Sequence, residues 1–530
     1  MDKKEKIMVE YMNKANGFQQ FSQMQKEQRQ KKIPGLLGWI LLFLCAYYAF
    51  MSAKSEVVES PVAETASQID ISSVPQIKLA DEKMRATIQG IHVSNMNLDN
   101  YRSEDGKADN IELLYAEEEF IEIGFFASGT DAPKATTLWK STNTPLRAEM
   151  SWKSDSGVEF RRVWSLGNDY VITVFDEIKN NGKKPILVSQ YSRIVRKRGK
   201  SSRFAVKTGG IACIAGKIET ESWVDLEGKS KSYEAKENQN SFAGFSGQYW
   251  QVIVASGQPS DKTIKLKQRA DKLFQSEIAP EYMKIEAGKT AVIKTEIFAG
   301  PKTQMALNTA RAKIPNIGET LDYGTFGFLS RPFLWALHKL HDFVVPNYGV
   351  AIIILTLIIR GLIWPITKRS YKSMQAIQKI QPEMRRLQKL YSNDKARMQQ
   401  EIMRLYQTHK ANPLGSIGIL LLQIPILFAL YKTLLIAVPL RHADFLWLTD
   451  LSIKDPYFIL PVLMAITMLA QNKLSRVDMS DAPGANVMKY MPFAFAVVGA
   501  WMPSGLVLYW TVSNIVGIVQ MALIKKEKKS

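Results

Sequence analysis

Histidine and cysteine are scarce in this chain, with five of the first and two of the second in 530 residues. They do not fall at the spacings that hold a metal, so neither a metal centre nor a bound cofactor is expected. Cys45 lies inside an apolar run and nothing places Cys213 beside it, which excludes a disulfide framework. A phosphate-binding loop is missing too. Gly288-Lys289-Thr290 imitates the end of one, but Met283 stands where the first glycine belongs. Work driven by nucleotide hydrolysis is therefore not expected. Before the helical region the only histidine is His92, and no spacing pairs it with a carboxylate. A hydrolase or sugar-converting enzyme would need such an acid/base set, so the chain is not expected to be an enzyme. Acidic residues are fewer than basic ones, 50 against 69, for a net charge of +19.

Long apolar runs are what the chain has in quantity. The mean hydropathy is only −0.12 although 46% of residues are hydrophobic, as suits a part-membrane, part-soluble protein. The first run, 33–51, is long enough to cross a bilayer core. It follows a basic leader, 1–32, which holds the N-terminus on the cytoplasmic side. A cleaved signal peptide is the rival reading, but no A-x-A site follows the run, and an uncleaved anchor is favoured. Five more spans are expected at 347–367, 413–438, 456–472, 487–502 and 504–524. The resulting six-span topology puts the leader, 368–412, 473–489 and the tail 525–530 on one side, and these segments carry 16 of the 19 net positive charges. The positive-inside rule thus accounts for most of the basicity, and nucleic acid is not needed as a partner. Spans four and five have apolar cores of only 15 and 16 residues, roughly 22–24 Å of helix against about 30 Å of hydrocarbon. Either the bilayer thins there or the boundaries lie a few residues out.

Between the first two spans the character changes. Residues 52–75 read as a linker, and 76–315 show short β-branched runs such as Ile111–Tyr115, Tyr170–Phe175, Ile186–Val188 and Trp250–Ala255. Turn signals such as Asn180-Asn181-Gly182 separate them, which predicts a β-sandwich with a binding or scaffolding role. In 326–346, Phe333, Leu337, Leu340 and Val344 recur at helical spacing, as in a helix lying on the membrane or one packed by its apolar face. Residues 368–412 predict a basic helical hairpin. Ile377, Ile380, Met384, Leu387 and Tyr391 form its seam, Ser392-Asn393-Asp394 its turn, and Pro382 a kink. Two roles fit it equally: a solvated arm near anionic lipid, or a docking arm for a ribosome or targeting factor.

Polar residues inside the spans carry the functional signal. Arg360 interrupts an apolar run, where a central arginine costs about 2.5–3.5 kcal/mol on insertion scales. Snorkelling towards headgroups is the bland explanation. Against it, Thr356 shares the face of Arg360, span three carries Gln423, and span six carries Tyr509, Trp510, Ser513 and Asn514. Polar side chains on three spans predict a wet cavity, although ordinary interhelical hydrogen bonds also suit Gln423 and Asn514. No Asp or Glu lies in spans two, three or six to neutralise Arg360.

These residues stand within longer blocks. From Leu321 onward the chain reads LDYGTFGFLSRPFLWALHKLH, RGLIWPITKRSYKSMQ, NPLG, LLQIPILFALYKTL, LRHADFLWLTDLSIKDPYFILPVLM and MPSGLVLYWTVSN. In this order they resemble the YidC family of bacterial membrane protein insertases. SFAGFSGQYW and FAGPKT resemble that family's Gram-negative periplasmic domain more weakly. The resemblance implies a mixed fold: an α-helical polytopic bundle of six transmembrane helices plus a large periplasmic β-sandwich, in the bacterial inner membrane with both termini cytoplasmic. It implies an insertase and chaperone for nascent membrane proteins, acting alone or with a Sec-type translocon, in contact with lipid and with nucleic acid only through the ribosome. Arg360 falls on the family's groove arginine, and Gln423, Tyr509 and Trp510 on groove positions. Ile424, Leu427, Phe428, Phe493 and Phe495 stand for its substrate slide on spans three and five. The chain departs from the family at Ser416-Ile-Gly-Ile, where many relatives carry a Gly-Cys-Leu-Pro-like turn, and in its long leader. A solute transporter, the rival class, would favour inverted repeats, and none is visible.

Overall fold

The computed structural model describes residues 71–526 except 104–109, 115–117, 200–205, 238, 410–412 and 476–484. The leader, the run at 33–51, the segment Lys54–Gln68 and the tail from 527 lie outside the described residues.

Strand-forming runs build two antiparallel sheets, of ten and nine strands among the described residues. In the first, Ile186–Arg196 pairs with Phe120–Ser128 on one side and Phe274–Pro280 on the other. In the second, Thr290–Pro301 lies between Val171–Asn180 and Trp250–Ser256, and Val158–Leu166 pairs with Val171–Asn180. Alternation aims Ile121, Ile123 and Phe125 into the shared core, with Phe160, Trp164, Phe242, Phe274 and Phe298 among the other buried side chains. The expected β-sandwich is present. Asn180-Asn181-Gly182 is a turn closed by Asn180 Oδ1, which accepts from the Gly182 N–H at 3.0 Å. The would-be phosphate loop is also a strand turn, in which Lys289 N–H donates to Glu286 O and Gly288 takes a φ of +72°.

One charge pair lies inside the sandwich. Arg162 is fully buried, and its Nε and Nη2 donate to the two carboxylate oxygens of Asp176 at 2.7 and 2.9 Å. Its Nη1 donates across to Ile123 O at 2.7 Å on the other sheet, and its guanidinium lies over Phe125, Trp139 and Trp164. Asp176 also accepts from Gln190, whose own oxygen accepts from Thr295. This network stitches the two sheets together.

After the short helix Gln304–Ala310 the chain becomes helical: α1 (Gly327–Phe343), α2 (Tyr348–Leu362), α3 (Trp364–Leu390), α4 (Lys395–Thr408), α5 (Pro413–Ile436), α6 (Ile459–Ser475), α7 (Ala485–Gly499) and α8 (Ser504–Lys526). Among the described residues Ser504–Ile524 alone is, as one helix, long and apolar enough to cross a membrane. Tyr348–Leu362 and Trp364–Ile377 reach that standard together but are bent by 59°. The sequence expected span two to run to 367, whereas α2 ends at Leu362. Pro365, in the first turn of α3, cannot donate a backbone hydrogen bond back into α2. Helix α6 starts at Ile459 rather than at 456, where the sequence expected a fourth span to begin: Asp455 accepts from the N–H groups of Tyr457 and Leu460, and Phe458 is left-handed at φ +56°. Helix α7 ends at Gly499, where the sequence expected the fifth span to run to 502.

In the hairpin of α3 and α4, Asp394 caps α4 by accepting from the Arg397 N–H, and α3 runs through Pro382 as one helix. On α1 the packed face is Ser330, Leu334 and Leu337, one step round from the stripe read in the sequence; Val344 is exposed, as are Phe328, Trp335 and Phe343. The helix therefore has an apolar side against the protein and another facing out. Gly349 on α2 lets Phe445 pack so closely that a Cβ would fall 2.2 Å from its ring.

Candidate functional site: a buried cation row and its outer junction

Arg360 occupies the last turn of α2 and is only 7% exposed. α8 packs along α2, and the guanidinium turns towards it: Nε and Nη2 both donate to Ser513 Oγ, at 2.8 and 2.5 Å. Gln520 Nε2, two turns further along α8, donates to Arg360 O at 3.2 Å. One turn before Ser513 on the same face stands Tyr509, whose hydroxyl accepts from Gln423 Nε2 of α5 at 3.1 Å. The structure thus brings buried Arg360, Ser513 and Tyr509 and half-buried Gln423 into one row across three helices. A hydroxyl bonds a guanidinium without neutralising it, and α2, α5 and α8 contain no Asp or Glu. Burying a cation without a counter-charge is costly.

Other residues singled out in the sequence stand elsewhere. Thr356 is buried, but its hydroxyl donates to Ile352 O of its own helix at 2.7 Å, so its hydrogen is unavailable to the row. Asn514 turns to α6, where its amide meets Thr467 Oγ1 at 3.3 Å. Trp510 is half-buried and packs edge-on against Phe495 of α7 at 4.8 Å. Of the slide residues, Ile424, Leu427 and Phe428 are half-buried on α5, and Phe493 is 56% exposed on α7. α5 packs on α1 and α3, while α7 packs on α6.

A second buried cation escaped the sequence reading. Lys432 of α5 is as enclosed as Arg360, and its Nζ donates to Asp322 Oδ2 at 2.6 Å. It was legible in the same way, as a lone charge in an apolar run. Behind it Lys302, from the end of the sandwich, donates to Ser246 Oγ at 2.9 Å and Gly247 O at 3.1 Å. This is the seam between sandwich and bundle. Gln248 donates to Leu435 O at 3.0 Å, Arg441 lies over Tyr249 and Trp250, and His442 meets Ser103 O. Burial tends to raise the Asp322 carboxyl, but the Lys432 hydrogen bond and charge hold it below its ordinary range. For Lys302 burial dominates and pushes the amine down to about 8. An amine with a folded value below its unfolded value costs stability while protonated in the folded state and recovers it as pH rises from the folded towards the unfolded value. Stability should therefore rise between about pH 8 and 10, by on the order of 3 kcal/mol at most, read as a higher unfolding temperature. Lys302→Met should abolish that rise; an identical rise in the variant would assign it to another group.

The sequence offered His92 no carboxylate, but the fold supplies one. His92 Nε2 lies 3.7 Å from Glu122 Oε2, with Tyr191 and Arg193 also on Glu122. Burial would raise the Glu122 carboxyl, yet the hydrogen bonds from His92 and Tyr191 and the Arg193 charge hold it low.

Comparison with known proteins places this architecture. Residues 339–530 match the family described as "60Kd inner membrane protein", and residues 76–336 match "YidC periplasmic domain". The chain is thus an inner-membrane protein carrying a large periplasmic β-sandwich. Proteins named "Membrane protein insertase YidC" are 35% identical over 71% of this chain and 71% of the relative in Geotalea daltonii, and 33% identical over 79% and 76% in Magnetococcus marinus. In Methylobacillus flagellatus the figures are 32%, 90% and 88%. A crystal structure of an active YidC insertase with its first transmembrane domain resolved aligns at a TM-score of 0.37 and 17% identity, over 91% of this chain and 98% of that one. The chain belongs to the YidC family of membrane protein insertases.

Proposed function

We propose that this chain inserts other membrane proteins and helps them fold, with the row Arg360, Ser513, Tyr509 and Gln423 as the polar face met by the translocating segment. The observation that carries this reading is a buried guanidinium whose side-chain partner among the described residues is a hydroxyl, not a carboxylate. Burying a 20-residue apolar segment in lipid is favourable, and passage of its polar tail is the barrier. A hydrated half-channel shortens the dry path, and Arg360 holds an acidic tail part-way. The membrane potential, positive outside, then assists by about 2.3 kcal/mol per charge per 100 mV, without nucleotide hydrolysis. Ile424, Leu427 and Phe428 on α5 and Phe493 and Phe495 on α7 flank the apolar segment. Six spans with cytoplasmic termini complete the arrangement. The basic hairpin of α3 and α4 then faces the cytoplasm as a docking arm for a ribosome or targeting factor, and the protein acts alone or with a Sec-type translocon.

Photocrosslinkers at Gln423 and Trp510 test the reading during translation of a membrane protein in the presence of this chain. Capture of the nascent chain at both positions is expected. Capture of small solutes, or of nothing, would overturn the reading in favour of a transporter or a purely structural role.

A further inference from the structure

Arg360 is held by α8 at two points that lie in opposite directions from its Cα. The guanidinium donates to Ser513 Oγ, and the Arg360 carbonyl accepts from Gln520 Nε2. Ser513 and Gln520 stand about two turns and about 10.5 Å apart along one face of α8. The two helices run in the same direction. Ile352 comes within 3.3 Å of the place that a Cβ on Gly505 would take, and Arg360, further along α2, meets Ser513, further along α8. The side chain therefore points back towards the starts of both helices, the direction in which helical Cα–Cβ bonds lean. Snorkelling towards the hairpin of α3 and α4 would send it the other way, past Gln520. That way is filled by the buried cluster of Tyr371, Met521 and Ile524, with Trp364 and Leu474 packed on it.

The turn that carries Arg360 is a weak one. It is the last of α2, and the final carbonyls of a helix have no partner further along it. Gly361 follows, a residue whose backbone leaves helical angles easily, and nothing lies within 4 Å of where its Cβ would stand. Pro365 has no N–H with which to continue the ladder. Gln520 supplies a donor to this turn from another helix, at 3.2 Å. The amide is buried, and its Oε1 has no hydrogen-bond partner among the described residues. One bond made and one buried acceptor left unmet oppose each other in stability, so the amide does little for folding as such. What it fixes is the place of one carbonyl, and with it the Cα from which the guanidinium is aimed.

We propose that Gln520 is a positioning residue for Arg360. By holding the Arg360 carbonyl it keeps the last turn of α2 wound, which keeps the guanidinium turned inward to Ser513 and the row, where an acidic tail meets it. Gln520 itself does not touch the tail. The proposal rests on the reading of Arg360 as the receiver of acidic tails.

A double-mutant cycle separates this role from a structural one. The full-length protein in proteoliposomes is presented with a membrane protein whose short translocated tail bears either two aspartates or two asparagines. The reading is the ratio of acidic-tail to neutral-tail insertion, which damage to folding leaves unchanged because it lowers both. Gln520→Met keeps the length and shape of the side chain and removes the donor; Gln520→Leu serves in its place if that variant does not fold. Arg360→Ala should bring the ratio down by about tenfold or more, and Gln520→Met alone should lower it at least about threefold. In the Arg360→Ala background Gln520→Met should change it by less than about 1.5-fold, because a residue that acts only through Arg360 has nothing left to act on. A ratio that falls with Arg360→Ala but not with Gln520→Met overturns the positioning role and keeps the groove. An equal fall with Gln520→Met in both backgrounds also overturns it, since the effect then does not pass through Arg360. A ratio that Arg360→Ala leaves unchanged removes the groove reading and the role of Gln520 with it.

Discussion

Arg360→Ala should reduce insertion of substrates with acidic translocated tails by about tenfold to a hundredfold while leaving neutral tails within about twofold. The size follows from the chemistry of the lost contact. A hydrogen bond to a charged group contributes about 1.5–3 kcal/mol, and about 1.4 kcal/mol is a factor of ten in rate. The selectivity follows because a neutral tail makes no ion pair with the guanidinium. Arg360→Lys should fall between the two, since an ammonium keeps the charge but loses the fork with which Nε and Nη2 grip Ser513. Reconstituted vesicles with an imposed potential, positive on the translocated side, provide the measurement. Equal insertion of both tails by the unsubstituted protein and the alanine variant would sink the electrostatic role and leave Arg360 as a packing residue.

The second large effect lies in the sandwich. Arg162→Met should destabilise the protein by about 3–5 kcal/mol, because it leaves the Asp176 carboxylate buried without its counter-charge. That is a large part of the roughly 5–15 kcal/mol that keeps a domain folded. Replacing both partners, Arg162→Met with Asp176→Leu, should recover most of the loss, since no unpaired charge remains. Thermal unfolding of the three proteins, followed through the tryptophans, decides the matter. A single variant as stable as the parent, or a double variant worse than the single, would mean that the pair is not what ties the sheets together.

Legibility from the sequence followed the range of the interaction. Strand alternation and the Asn-Asn-Gly turn are local, so the sandwich could be read before any contact was known. Arg360 was visible because a charge in an apolar run is anomalous on its own. Helix α1 shows the limit. It is apolar on the packed side of Leu334 and Leu337 and on the exposed side of Trp335 and Phe343, and periodicity cannot tell which neighbour is protein. Thr356 and Asn514 shared a polar character with the row but not a partner, because the helix that each hydroxyl or amide faces is a tertiary fact. Arg162 follows Arg161 in a strand, and only the register puts one outside and the other in the core. The ion pair of Lys432 with Asp322 joins residues 110 apart in sequence, beyond any spacing rule.

The break after Leu362 has one more consequence. Backbone carbonyls at a helix C-terminus sum to about half a negative charge, worth about 0.3–1 kcal/mol to a nearby cation and up to about 2 in partly buried geometry. Arg360 sits in that last turn, and its own carbonyl is held by Gln520. A helix continuing straight through Ile363 would carry this negative end away. The bend therefore leaves the negative end of the α2 dipole in the same turn as Arg360, where position alone favours a cation. Peptide dipoles do not form an ion pair, so the guanidinium beside Ser513 keeps its full charge, which is what the proposed reception of an acidic tail requires.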